Sequence, residues 1–253
     1  MTHKLSIATW NIHKGFSQFN RRMTVHELRE RLRELSADVV FLQEVQGMHH
    51  GHAARHADWP DKPQHEFLAE EVWLNHAYGR NMVYDHGHHG NAILSRYSIL
   101  HQHNQDVTHL RWEKRGLLHC ALAVPGLALP LHCVCVHLSL FARSRRRQLD
   151  ALAGRIEEIV PPQAPLLIAG DFNDWRNHAD DLLARRLGLA EVFADGDGRR
   201  PTRSFPAALP MLCLDRIYQR GLDLRRARLH AGRPWSSISD HAVLSAEFRL
   251  AVP

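Results

Sequence analysis

Acids, amides and histidines recur at one kind of place in this sequence, directly after or within a short apolar run. Pro165-Leu166-Leu167-Ile168 leads into Ala169-Gly170-Asp171-Phe172-Asn173-Asp174. Leu5 to Trp10 leads into Asn11, Val39 to Leu42 into Gln43-Glu44, and Leu129 to Val136 into His137. Asp215 lies in the run from Cys213 to Tyr218, and Ser239-Asp240-His241 stands before a last apolar stretch. A carboxylate manages a cation or a proton, a carboxamide donates hydrogen bonds, and an imidazole moves a proton near neutral pH. Such groups gathered together suit cleavage of a phosphate ester. Taken singly, each has a plainer reading, because Asp and Asn also end strands as turn formers.

The elements that must position these groups follow from apolar periodicity. Leu5 to Trp10 predicts a first strand. Thr24-Val25-His26-Glu27 has the form of a capping box, and Val25, Leu28, Leu32 and Leu35 follow at helical spacing. A short buried strand over 39–42 then delivers Glu44. Asn11 and Glu44 thus stand at strand ends, where open α/β sheets place their ligands. Residues 46–66 read as a long polar surface loop, 67–74 as a helix, 81–84 and 91–96 as strands, and 97–111 as an irregular strand with loops. Pro125-Gly126 joins two antiparallel strands, 116–124 and 129–136. Helices are expected over 143–160, ended by Pro161-Pro162, and over 179–187, with a loop across 195–210. Strands 213–218 and 242–250 complete the chain. Residues i and i+2 of a strand share a face, so Asp171 and Asn173 address one target if the strand persists. No repeat, low-complexity segment or linker divides residues 1–253, which predicts a single domain.

Composition bounds the rest. The 253 residues are 44% hydrophobic and 23% charged, enough apolar material for a substantial core. The net charge of +5 and a pI of about 9.3 favour polyanionic partners, nucleic acid or anionic headgroups, although an Arg-rich composition explains them equally well. Cys120, Cys133, Cys135 and Cys213 lack zinc spacing and a secreted framework, which predicts reduced thiols in a cytoplasmic protein. No signal peptide and no apolar run near 18 residues is present, so no membrane span is expected. The histidines at 49, 50, 52, 56, 86, 88 and 89 invite a zinc reading, but without thiolates or paired ligand spacing they read as polar surface loops.

Seven motifs now stand in order: Thr9-Trp10-Asn11-Ile12, Leu42-Gln43-Glu44-Val45, Gly90-Asn91-Ala92-Ile93-Leu94-Ser95, Val136-His137-Leu138, Gly170-Asp171-Phe172-Asn173, Leu214-Asp215-Arg216-Ile217 and Ser239-Asp240-His241. Together they resemble the endonuclease/exonuclease/phosphatase superfamily, which includes pancreatic-type deoxyribonucleases, abasic-site endonucleases, sphingomyelinases and inositol-polyphosphate phosphatases. The resemblance covers nearly the whole chain. It implies a four-layer α/β sandwich, two mixed β-sheets packed face to face with helices outside.

The resemblance also implies roles. Glu44 is the principal metal ligand, with Asn11 and Asp240 assisting, and Mg²⁺ suits one or two carboxylates that leave it several waters. Mn²⁺ is the expected substitute. His241, paired with Asp215, contacts the scissile phosphate or activates water. Asp171 and Asn173 orient the nucleophile and stabilise the pentacovalent phosphate. His137 resembles the strand-end histidine of the deoxyribonuclease and sphingomyelinase branches, an acid or a phosphate donor. Arg115 is a candidate phosphate clamp, because guanidinium matches phosphate bidentately, and Asn91 is a further substrate-binding candidate. The Arg143 to Arg147 run reads either as a solvated helix start or as a second phosphate site.

The expected protein is therefore a monomeric, Mg²⁺-dependent phosphodiester hydrolase acting by in-line attack of water, with nucleic acid as first substrate. A phospholipid or small phosphodiester is the alternative. No long insertion or aromatic intercalating loop is evident, although Trp59, Trp112, Trp175 and Trp235 could line the cleft. A catalytically silent binding module on the same fold is the reading from another class.

Overall fold

The computed structural model describes residues 4–194 and 202–250. Two six-stranded sheets are built from alternating stretches of the chain. The strands are β1 (Lys4–Asn11), β2 (Val39–His49), β3 (Asn75–Tyr84), β4 (Gly87–Ser95), β5 (Ile99–Asp106), β6 (Gly116–Leu122), β7 (Leu131–His137), β8 (Leu166–Asp171), β9 (Ala190–Glu191), β10 (Asp215–Arg220), β11 (Asp223–His230) and β12 (Val243–Arg249). The helices are α1 (Val25–Leu35), α2 (His50–Ala53), α3 (Gln64–Ala69), α4 (Ala142–Ile159) and α5 (His178–Leu187). One sheet runs β11-β12-β1-β2-β4-β3 and the other β5-β6-β7-β8-β10-β9.

Each sheet contains a parallel pair joined through a helix: β1 with β2 through α1, and β7 with β8 through α4. A parallel pair needs such a crossover, and the crossover covers the outer face of the sheet. Strand alternation does the remaining sorting. Leu5 and Ile7 of β1 and Phe41 of β2 point inward and meet Cys133, Cys135, Leu167 and Ala169 of the other sheet. Ala8, Trp10, Val40 and Leu42 point outward under Val25, Leu28 and Leu32 of α1. Val134, Val136 and Ile168 pack under Leu149, Leu152 and Ile156 of α4. Burying each of these large side chains stabilises the fold by roughly 1.5–3 kcal/mol. The result is the expected four-layer sandwich.

Several local expectations change. The chain over 46–66 is not one loop: β2 continues to His49, α2 follows, and α3 begins at Gln64. Pairing of Gln46 with His89 and His49 with Gly87 carries the ladder through these polar residues. The predicted helix over 67–74 is displaced and ends at Ala69, just before Glu71 turns to φ 68° and β3 begins at Asn75. Thr24 makes no cap hydrogen bond to α1. Its hydroxyl donates to the Ile238 carbonyl at 2.9 Å, and Glu27 pairs with Arg22. The edge strand β11 carries no sequence signal, because its exposed DLRRARLH stretch has little apolar alternation. The first part of the predicted 195–210 loop, residues 195–201, lies outside the described residues. No described helix is long and apolar enough to cross a membrane.

Candidate active site

Both parallel pairs end at the same rim of the sandwich. Asn11 is in register with Gln43, and His137 with Asp171. Asn11 shares the inward face of β1 with Leu5 and Ile7, and Asp171 shares that of β8 with Leu167 and Ala169. The site is therefore the open end of the inter-sheet core. The Asn11 amide nitrogen donates to Asp171 Oδ2 at 3.2 Å and to Glu44 Oε1 at 3.3 Å.

Glu44 reaches this cleft by a backbone irregularity. Strand alternation would send it outward beneath α1 with Leu42. Instead the ladder slips between Leu42 and Val45, and Glu44 adopts φ 55°. Such a left-handed residue in a bulge re-aims its side chain and stores strain of about 1–3 kcal/mol. Asn173 is the second case, at φ 51°. Strand β8 stops at Asp171, so Asn173 does not share its face by alternation. The turn lets the Asn173 N–H donate to Asp171 Oδ1 at 2.9 Å, while its amide donates to the Leu138 carbonyl at 3.0 Å.

Loop 239–241 is tied to the end of β1. Ser239 Oγ donates to the Asn11 carbonyl at 2.7 Å, and Trp10 Nε1 donates to the His241 carbonyl at 3.0 Å. His241 Nδ1 lies 2.9 Å from Asp215 Oδ2, which also accepts from Ser204 Oγ at 2.6 Å. Arg216, the neighbour of Asp215 in sequence, faces away toward Asp180 and the Asp174 carbonyl. His241 Nε2 and His137 Nε2 approach Asp171 Oδ2 at 3.8 and 3.6 Å.

The charges are sharply differentiated. Burial opposes protonation of His241, but Asp215, Asp171 and Asp240 outweigh it and hold its pKa up to about 10. Burial pushes Asp171 up to about 7, against the attraction of His241. Burial, with Arg115 and His241 nearby, holds His137 well below the usual histidine range. Glu44 is lowered: burial works against this, and Lys14, His13 and His241 overcome it. Asp240 is likewise lowered despite burial by its hydrogen bond to His13 and by His241.

The cleft is a cavity of about 430 Å³ lined by Glu44, Arg115, His137, Asp171, Asn173, Asp240 and His241 among others. Asn11 and Asp215 stand just behind it. Arg115 is steered by Glu113 Oε1 at 3.2 Å and the Leu138 carbonyl at 3.3 Å. Asn91 is placed differently from the sequence expectation. It does not line the cleft, and its amide donates across the core to the Gly116 and Cys135 carbonyls at 3.0 and 3.3 Å. Of the four tryptophans, Trp175 lines the cleft, Trp59 is buried and Trp235 stacks edge-on with Trp10. Arg145 is the one arginine of the Arg143 to Arg147 run that is buried, and it donates to the Ser139 and Leu140 carbonyls.

Sequence reasoning missed His13, which sits 3.2 Å from Asp240, Lys14, 3.7 Å from Glu44, and Ser204 behind Asp215. His13 and Lys14 follow Asn11 directly, and that adjacency was the available signal. Ser204 offers none.

Two groups of donors bear on a metal. Glu44, Asp240 and Asn11 offer hard oxygens of the kind Mg²⁺ takes, and Asp240 Oδ1 is positioned by His13 Nδ1 at 3.2 Å. Asp171, Asp215 and His241 also place ligand atoms within 4.8 Å of one another and could bind a metal. The second group includes an imidazole nitrogen, already paired with Asp215 at 2.9 Å, whereas the first offers oxygens alone, the ligand set a hard cation prefers. Among the described residues, the loop histidines 49, 52 and 56 form no such cluster. His52 instead stacks with His49 and Trp59.

A two-sheet sandwich with acids, amides and histidines at one rim defines a phosphoesterase-type fold. The chain belongs to the Endonuclease/Exonuclease/phosphatase family, whose model matches residues 8–241, and members of that family are hydrolases of phosphoesters. It is 48% identical over 244 residues to a protein of Escherichia coli (strain K12) named "Uncharacterized protein YbhP", spanning 96% of each chain. It is similar in fold to an endonuclease/exonuclease/phosphatase from Beutenbergia cavernae, with a TM-score of 0.76, 19% identity and coverage of 98% of this chain and 72% of that one. It is also similar to D. rerio TDP2 complexed with a single-strand DNA product, with a TM-score of 0.71, 20% identity and coverage of 97% and 98%.

Proposed function

We propose that this chain is a divalent-metal-dependent phosphodiester hydrolase that uses water as nucleophile. The observation that carries the reading is the environment of Asp171 Oδ2. Asn11 Nδ2, His137 Nε2 and His241 Nε2 surround it at 3.2–3.8 Å, with Glu44 and Asp240 at the same cleft. A cation held by Glu44, Asp240 and Asn11, with Mg²⁺ first and Mn²⁺ as substitute, would polarise the phosphoryl group and offset its developing charge.

The protein's own groups then divide the work. His241, an imidazolium held by Asp215, donates to a phosphoryl oxygen. Asp171, raised toward neutrality, is the better-poised acceptor for the proton of the attacking water. This assigns the base role to Asp171 and the phosphate contact to His241. His137 stays neutral and donates a hydrogen bond. Asn173 and Arg115 brace the equatorial oxygens, with preorganised donors acting where charge develops.

For substrate, the basic charge balance and the DNA-bound TDP2 neighbour support nucleic acid as the first class to assay. An apolar side to the cleft, with Leu140, Trp175 and Leu212, supports phospholipid or another amphiphilic phosphodiester as the second. A reducing, cytoplasmic setting is supported by the buried thiols Cys120, Cys133 and Cys135, none of them in a disulfide.

The test is hydrolysis of bis-p-nitrophenyl phosphate, plasmid DNA, RNA and phospholipid vesicles, with Mg²⁺ or EDTA and with Glu44→Ala as blank. Metal-stimulated turnover missing from the blank is expected. Undiminished turnover in EDTA, or none on any substrate, would overturn the reading.

A further inference from the structure

Large apolar side chains exposed on a folded surface need an occupant when they lie together. Here they gather on one side of the catalytic cleft. Leu140, Trp175 and Leu212 line its wall. Phe141 follows Leu140, and Trp112 stands in the turn whose Glu113 accepts the Leu140 N–H at 3.1 Å. The Phe205–Leu212 bridge closes a hairpin with Leu209 and Met211 at its tip. Trp112 is 71% exposed, Leu209 70%, Met211 57% and Phe141 53%.

Within the segments that carry these side chains, the exposed charges all have one sign. Segments 109–115, 138–147, 174–178 and 202–214 contain two acids, Glu113 and Asp174, and both are buried. The same segments expose Arg111, Arg143, Arg146 and Arg176. The opposite wall is polar, with Lys14, His13 and His89. Exposed apolar side chains in segments that also expose cations match an anionic lipid–water interface, where the apolar side chains enter the acyl boundary and the guanidinium groups meet headgroup phosphates. Single-stranded nucleic acid would use the aromatic rings and cations, but it gives no partner to the aliphatic tip formed by Leu209 and Met211.

We propose that loops 110–113, 138–141 and 205–212 form a docking surface for anionic membranes, which sets the mouth of the cleft against the lipid headgroups. The docking is independent of the reaction. Its consequence, that headgroup phosphodiesters are the substrates, rests on the hydrolase reading above.

The experiment is co-sedimentation of the full chain with phosphatidylcholine vesicles, with or without one-third phosphatidylglycerol, at physiological salt. Preferential binding to the anionic vesicles is expected. Leu209→Ser with Met211→Ser should weaken it at least fivefold, and so should Arg111→Glu with Arg176→Glu. Neither pair should change the melting temperature or the turnover of soluble bis-p-nitrophenyl phosphate. No binding to anionic vesicles, or binding that neither pair weakens, would overturn the docking. Binding to a single-stranded oligonucleotide that both pairs weaken, without any vesicle binding, would hand the surface to nucleic acid instead. Vesicle binding by a protein inactive on every phosphodiester would retain the docking and remove the hydrolase reading.

Discussion

Asn11 and Asp171 belong to different sheets and lie 160 positions apart, yet the amide of the first donates to the carboxylate of the second at 3.2 Å. That contact closes the end of the inter-sheet core. Any change in how the sheets pack is therefore felt where the chemistry is placed.

Asp171→Asn keeps the shape and removes the proposed proton acceptor. The rate constant kcat should fall by about 10²–10⁴-fold, the usual worth of a general base. The melting temperature should fall modestly, because the amide must turn its NH2 toward donors that the carboxylate accepts from. A lower melting temperature with near-normal kcat would make Asp171 structural.

Activity should be bell-shaped in pH. Asp171 must lose its proton, so the rate rises through about pH 7, and His241 must keep its own, so the rate falls near pH 10. In Asp171→Asn the limb near neutrality should vanish from the residual rate. A pH–rate profile with metal saturating throughout provides the check.

Glu44 occupies a conformation that suits glycine. Glu44→Gly should abolish metal-dependent turnover while being more stable than Glu44→Ala by about 1 kcal/mol, since only glycine takes φ 55° without cost. Denaturant melts of the two variants measure the difference. Equal stabilities would mean that the backbone relaxes.

Asn91 ties the sheets together rather than facing substrate. Asn91→Ala leaves the Gly116 and Cys135 carbonyls without their donor and should cost about 1–3 kcal/mol of stability. KM should change little. A raised KM with unchanged stability would restore the substrate-binding role.

His65 is stacked on Tyr78 at 4.5 Å, and burial, with repulsion from His76 and His88, lowers its pKa to about 4. The unfolded chain takes up this proton near pH 6.5 and the folded one near 4. Stability is therefore intact above pH 6.5 and falls as pH drops toward 4, by up to ~3 kcal/mol from this group. His65→Phe should flatten the decline between pH 6.5 and 4 in urea melts.

The legible parts of this protein were those in which local chemistry and local structure coincide. Buried runs ending in Asn11, His137 and Asp171 announced both the strands and the site, because a strand covered on both faces must be continuously apolar. Helix α4 and the outer face of α1 followed from their spacing for the same reason. The polar end of β2 and the edge strand β11 did not, since their ladders run through residues without apolar alternation, and α3 did not, since it buries the polar Gln64 and His65 beside Leu68.

What the sequence determined by itself is the kind of groups present and the strand ends that carry them. What the tertiary structure alone decided is where those groups point. Glu44 is turned into the cleft by a bulge, Asn91 is drawn away into the core, and Ser204 is folded back behind Asp215 by the hairpin closed at Phe205 and Leu212. Leu140, Trp175 and Leu212 come from separate loops to line one cleft. Contacts between residues far apart in the chain depend on the packing of whole sheets, and no local pattern of residues encodes that packing.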